Sequence, residues 1–215
     1  MNGDPSRPVM LLLVRHGETT WNRESRFQGQ QDPPLSALGH RQASALADRL
    51  SGARFDAGYT SDLRRARQTA RPVAGRTGVE FVPEPLVREV GMGAWEGLTT
   101  AEVERAHGPL WKQWRVRPRW DLPPEGEGSA ALALRADAML RRCATGHPGQ
   151  RVVCVSHGGF IQAVLSRALS CQPCGPYPFQ VHNASITTLR HERGTWWVEG
   201  VNDHAHLLTP AVDAR

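Results

Sequence analysis

Residues 9–17 read VMLLLVRHG and residues 151–159 read RVVCVSHGG. Each is a short apolar run that stops at a histidine followed by glycine. The first run, Val9–Val14, is bounded by Pro8 and by Arg15-His16-Gly17. A continuous apolar run of this length predicts a strand buried on both faces, as in a parallel sheet covered by helices. In such sheets ligands bind beyond the carboxyl ends of the strands. If the two strands are parallel neighbours, His16 and His157 reach one pocket.

Working outward, residues 16–35 are polar, contain Gly29, Pro33 and Pro34, and read as a functional loop. Ser36 is placed to cap a helix over about 37–51, with Ala43, Leu46, Ala47 and Leu50 on its apolar face and Gly52 ending it. Phe55–Thr60 is a strand candidate. Ser61 or Asp62 then caps a helix to about Gly75, in which Pro72 predicts a kink or an early end. Val79–Val82 reads as a short strand. Residues 83–128, rich in Pro, Gly and Trp, read as an insertion over a site, with short helices near 99–106 and 109–115. A helix over about 129–144, the strand Arg151–Ser156 and an apolar helix to about Leu169 follow. Ala184–Arg190 and Trp196–Val201 predict two strands around a Glu192-Arg193-Gly194 turn. This order predicts one α/β domain over 1–215: a three-layer α/β/α sandwich with a mostly parallel central sheet and a helical lid insertion.

The 215 residues suffice for one substantial core. No apolar run approaches the roughly 18–20 residues that span a membrane. The opening MNGDPSRP lacks the apolar stretch of a secretory signal and reads as a short disordered lead-in. The net charge is +5, yet Lys112 is the sole lysine and the arginines are scattered, so the sequence predicts neither a nucleic-acid partner nor a membrane. Cys143 and Cys154 fall at predicted core positions. The Cys171-Gln-Pro-Cys174 pair has neither a second pair nor histidines at zinc-finger spacing. The expectation is no catalytic or metal role for the cysteines, and a reducing cytoplasm.

A phosphoryl group carries nearly two negative charges, and moving it requires cations that follow its oxygens through the transition state. Arginine meets two of those oxygens at once. A neutral imidazole can attack phosphorus, and the leaving alkoxide needs a proton from an acid. The residues that would serve match a family. LLLVRHGETTWN (11–22) resembles the opening of the histidine phosphatase superfamily, the phosphoglycerate-mutase-like proteins. RFQGQQDPPLSALGHRQA (26–43), SDLRRARQTA (61–70), VREVGMGAWEGLT (87–99), VSHGGFI (155–161), NASIT (183–187) and NDHAHL (202–207) are similar to its later motifs, in order.

The resemblance implies that His16 becomes phosphohistidine, that Arg15 and Arg65 clamp the phosphate, and that His157 donates to a phosphoryl oxygen. It implies that Glu89 is the general acid and base, and that Asn22 and Gln28, with the neighbouring Gly29, meet phosphate or substrate. The N–H of Gly158, at a helix start, is a further donor. Asn183 either lines the pocket or begins a strand. Arg65 is preferred to Arg64 on motif and helix face. Glu96 is expected to bond loop backbone, Glu18 to orient the loop, and Trp111 and Trp114 to pack the lid. In one departure from the family, Glu127 is followed by Gly128 where many relatives have serine.

Family mutases carry a longer insertion than residues 97–128. The expected reaction is therefore metal-independent hydrolysis of a small phosphomonoester, a sugar phosphate or phosphoglycerate type, with no cofactor. A cofactor-dependent phosphoglycerate mutase with a compact lid, and a non-catalytic phosphoprotein-binding module, are the alternatives. Arg88, Arg115, Arg117, Arg119 and Trp120 are the candidates for specificity, and a homodimer is compatible with the sequence.

Overall fold

The computed structural model describes residues 7–171, 175 and 179–208. Among the described residues the strands are β1 (Val9–Arg15), β2 (Ala57–Thr60), β3 (Phe81–Pro83), β4 (Arg151–Ser156), β5 (Ile186–Glu192) and β6 (Thr195–Asp203). They form one sheet in the order β3-β2-β4-β1-β5-β6. The pairings β3–β2, β2–β4 and β4–β1 are parallel, whereas β5 runs antiparallel to β1 and to β6. This is the mostly parallel α/β sheet that the two apolar runs predict.

Both faces of the central strands are covered. Leu12 and Val14 of β1, with Val153 and Val155 of β4, pack on α2 (Ala37–Leu50) and α3 (Arg64–Thr77). Leu11 and Leu13, with Val152 and Cys154, face the other way, into a core with α6 (Gly128–Gly146) and α7 (Gly158–Ala168). Strand alternation thus divides one apolar run between two layers of helix. At ~25 cal/mol per Å² of apolar surface removed from water, this two-sided burial is the main favourable term holding the sheet.

The register of β1 on β4 ends with Arg15 opposite Ser156, and the His16 N–H donates to the Ser156 carbonyl at 2.9 Å. His16 and His157 are consequently neighbours at the same end of the sheet. Residues 83–128 contain α4 (Thr100–Ala106) and α5 (Gly108–Val116). Their Val87, Val90, Met92, Trp95, Val103, Trp111 and Trp120 join the same apolar core as Leu11 and Leu13.

Three local readings are corrected. The loop 16–35 contains a one-turn helix, α1 (Thr20–Arg23), closed by a reciprocal cap between Thr19 and Asn22. Neither Ser61 nor Asp62 caps α3, whose N-cap is Leu63. The Asp62 carboxylate is taken by Arg88, and the Arg64 N–H donates to Asp32 instead, at 2.6 Å. Pro72 does not end α3, which runs on to Thr77 and stops at Gly78, φ 73°. Ala66, Ala70 and Val73 are packed into the core and hold the helix through the proline.

Candidate active site

His16 is buried, and its Nδ1 lies 2.7 Å from the Gly17 carbonyl. A carbonyl only accepts, so Nδ1 carries the hydrogen and Nε2 keeps its lone pair. His157 has the opposite arrangement. Its Nδ1 lies 3.2 Å from Nε of Arg65, which only donates, so Nδ1 is the acceptor and Nε2 carries the hydrogen. The two rings sit 5.1 Å apart between centroids. One ring thus presents a lone pair at Nε2 and the other a hydrogen. Burial holds both pKa values well below the ordinary histidine range, and the Arg65 and Arg15 charges push the same way. Both rings are therefore neutral at neutral pH.

Arg65 is fully buried on the first turn of α3. It donates to the carbonyls of Gly29 at 2.7 Å and Gln31 at 2.5 Å. Burial pushes its pKa down to about 10, with Glu89 opposing, so it stays charged at neutral pH. Arg15 donates to the Val181 carbonyl at 2.6 Å. Its Nε, like Nε2 of His157, is buried with no partner among the described residues. Buried donors without partners are costly, and an oxyanion would satisfy them. Arg64, by contrast, is exposed.

The loop that follows β1 is anchored from several directions. The Gly17 N–H donates to Thr69 Oγ1, and that hydroxyl donates to the Arg65 carbonyl. Glu18 accepts from the Ser36 hydroxyl at 2.6 Å, which ties the loop to the start of α2. Asn183 precedes β5 and donates to the His16 carbonyl at 3.0 Å and towards Asn22 Oδ1 at 3.4 Å. It thus steadies the loop that carries His16. Asn22 Oδ1 is engaged in the α1 cap, so the donor end of that amide is what it can offer a phosphate. Gln28 Oε1 accepts from Thr19 at 3.0 Å. Gly29 has φ +49°, and a Cβ there would overlap the Glu96 carboxylate, so the residue is restricted to glycine.

Glu89 sits at the N-terminus of α7. Its carboxylate accepts from the N–H groups of Val90, Gly159 and Phe160 at 2.9, 3.2 and 3.1 Å. The helix end foreseen as a phosphate site therefore gives two of its N–H groups to the carboxylate. Gly158 remains beside the Arg15 guanidinium. The Glu89 segment is braced from beneath. Arg135 donates to Glu127 through two nitrogens and to the carbonyls of Leu86, Arg88 and Glu89. Glu96 accepts from the N–H groups of Gln30 and Met92, the structural role expected of it. Ser129 bonds Asp121 through its N–H and hydroxyl at the start of α6.

A cleft of about 210 Å³ is lined by Arg15, His16, Gln28, Gly29, Arg65 and Glu89. Its other walls are Arg26, Phe27, Val90, Met92, Trp114 and Trp120. Sequence reasoning missed Arg26, Phe27, Val90 and Met92. Arg26 and Phe27 directly precede Gln28-Gly29, and that adjacency was the available signal. The foreseen specificity arginines are elsewhere. Arg88 is paired with Asp62 at 2.5 Å, and Arg117 and Arg119 line a separate surface groove with Lys112. Among the described residues, no group of three or more His, Cys, Asp or Glu is placed to hold a metal. Cys143 and Cys154 are buried and free, and Cys174 lies outside the described residues. No described helix is long and apolar enough to cross a membrane.

A parallel sheet that ends in two neighbouring histidines, with the buried Arg65 and the partly buried Arg15 beside them, defines a class of α/β protein with a cationic site at the carboxyl ends of its strands; His16 lines the cleft, and His157 is not among its lining residues. The family model of the histidine phosphatase superfamily (branch 1) matches residues 11–204, and the chain belongs to that superfamily. It is 36% identical to a probable phosphoglycerate mutase of Yersinia enterocolitica over 95% of this chain and 98% of the relative. A mycobacterial glucosyl-3-phosphoglycerate phosphatase structure, determined with VO3, is 32% identical with TM-score 0.81, over 90% of this chain and 98% of that one. An Entamoeba histolytica phosphoserine phosphatase, in complex with phosphoserine, is 31% identical with TM-score 0.80, over 93% of this chain and all of that one.

Proposed function

We propose that this superfamily enzyme is a phosphomonoester hydrolase working through phospho-His16. The observation that carries the reading is the pair of opposite histidine tautomers held beside Arg15 and Arg65. His16 Nε2 attacks phosphorus, the ester P–O bond breaks, and Glu89 gives its proton to the leaving alkoxide. Arg15, Arg65 and Nε2–H of His157 carry the charge on the phosphoryl oxygens. Water then attacks phospho-His16 and loses its proton to Glu89. The N–P bond breaks, and inorganic phosphate and free His16 result.

Hydrolysis is favoured over phosphate shuttling by the lid, whose regular structure beyond residue 97 is limited to α4 and α5. The second reading, a mutase, rests on the name of the Yersinia relative. The expected result is a burst of phosphate release from a generic aryl phosphate, a phosphohistidine signal in ³¹P NMR, and loss of both in His16→Ala. Full activity in that variant would sink the mechanism. Conversion of 3- to 2-phosphoglycerate faster than phosphate release would establish the mutase. Activity is expected to survive a chelator; its complete loss would contradict a site whose cations are all protein side chains.

A further inference from the structure

The walls of the cleft differ in kind. Arg15, His16, Arg65 and Glu89 form the phosphate side. Facing them, Phe27 and Trp114 lie 6.0 Å apart between ring centroids, and Trp114 and Trp120 lie 5.8 Å apart. Val90 and Met92 complete this apolar wall. The three cations lining the cleft are Arg15, Arg65 and Arg26. The first two belong to the phosphate. Arg26 donates to Glu24 at 2.7 Å, to Glu102 at 2.9 Å and to the Gly97 carbonyl at 2.8 Å. Its single positive charge is thus outnumbered by two carboxylates. A carboxylate or second phosphate on the substrate would meet an aromatic wall and a cation already neutralised. The two carboxylates beside Arg26 would repel a second anion placed there. The volume, about 210 Å³, is below the roughly 300–1,000 Å³ of sites for drug-sized ligands. It suits a phosphate and one small ring.

We infer that the site selects phosphomonoesters of small uncharged alcohols with an apolar or flat-ringed leaving group, and that Arg26, held by Glu24 and Glu102, excludes substrates bearing a second anion. This rests on the hydrolase reading for turnover, although the selectivity itself is a binding property. It also turns the expectation of a phosphoglycerate-type substrate around, because Arg88, Arg115, Arg117 and Arg119, the arginine candidates for specificity, do not line the cleft.

Two non-hydrolysable probes test it by calorimetry on the whole protein: benzylphosphonate and 2-carboxyethylphosphonate. Benzylphosphonate is expected to bind at least about tenfold more tightly. In Glu24→Gln/Glu102→Gln, which frees the Arg26 charge and preserves the hydrogen-bonding shapes, the carboxylated probe is expected to gain about fivefold or more while benzylphosphonate is little changed. Equal or tighter binding of the carboxylated probe to the unmodified protein would overturn the inference, as would an unchanged ratio in the double variant. Phosphate release from benzyl phosphate is measured alongside. No release with the binding order intact would remove the hydrolase reading and uphold the selectivity.

Discussion

The side of the cleft proposed for the phosphate is tied by hydrogen bonds to backbone carbonyls. Arg65 spans Gly29 and Gln31, Arg15 reaches Val181, and His16 leans on Gly17. The opposite side consists of Phe27, Trp114 and Trp120 in ring-on-ring contact, continuous with the core through Trp95 and Trp111. The first side orients charges and tolerates little displacement. The second supplies shape and dryness, and its side chains can repack by small adjustments. Chemistry should therefore be sensitive to single atoms on the phosphate side, and selectivity should respond to the aromatic side.

The sharpest way to break that contrast is Arg65→Ala. It removes a clamp and leaves the Gly29 and Gln31 carbonyls without their donor. A fall in kcat of about 10²–10³ is expected. Unsatisfied buried groups should add a stability loss of about 1–3 kcal/mol each, read from the denaturation midpoint. Arg65→Lys should recover only part of the activity, because an ammonium cannot span both carbonyls as the guanidinium does. Near-full activity in Arg65→Ala would show that the buried arginine is scaffold and not clamp.

A smaller effect is expected from Gly159→Ala. Its Cβ would lie 2.5 Å from Glu89 Oε1, so the carboxylate must move. Displacing a proton donor by about 1 Å costs up to ~10²-fold in rate, with little change in KM. A rise in KM at constant kcat would instead assign Glu89 to substrate binding.

Third comes pH. Burial and the nearby Arg65 charge hold the folded-state pKa values of His16 and His157 well below the ordinary histidine value of 6.5. As pH falls through about 6.5, the unfolded chain takes up protons that the folded site refuses, so stability falls at up to ~1.4 kcal/mol per pH unit for each histidine. The loss stops only below the depressed folded values. Thermal melts at pH 7.5 and 5.5 should differ more for the natural sequence than for His157→Gln; equal slopes would mean the rings are not held neutral.

The smallest effect is the control. Arg64→Ala alters an exposed neighbour of Arg65 and should change kcat/KM by less than about twofold. A larger drop would place the wrong arginine in the clamp.

The legible parts of this molecule are those where one local pattern has one physical solution. Val9–Val14 and Val152–Val155 are strands because unbroken apolar runs need cover on both faces, and their shared His-Gly endings placed two histidines together once the strands paired. Ser36 caps α2 as its position promised. The α3 cap was not legible, because it comes from Asp32, 32 residues away from the N–H that it accepts. The persistence of α3 past Pro72 depends on core packing that a local rule does not contain.

The same division runs through the site. By themselves the residues singled out the candidates: His16, His157, Arg15, Arg65 and Glu89 sit in motifs that resemble those of the superfamily. Tertiary structure decided how each is set. Whether a histidine attacks or donates depends on which nitrogen meets a carbonyl and which meets Arg65, and that contact spans 92 positions of chain. Whether a basic residue is an available charge depends on its carboxylate neighbours. Arg88 and Arg26 look alike in sequence, but Arg88 is tied to Asp62, while Arg26 lines the cleft already paired with Glu24 and Glu102. Charge is a property of the residue; availability of that charge is a property of the fold.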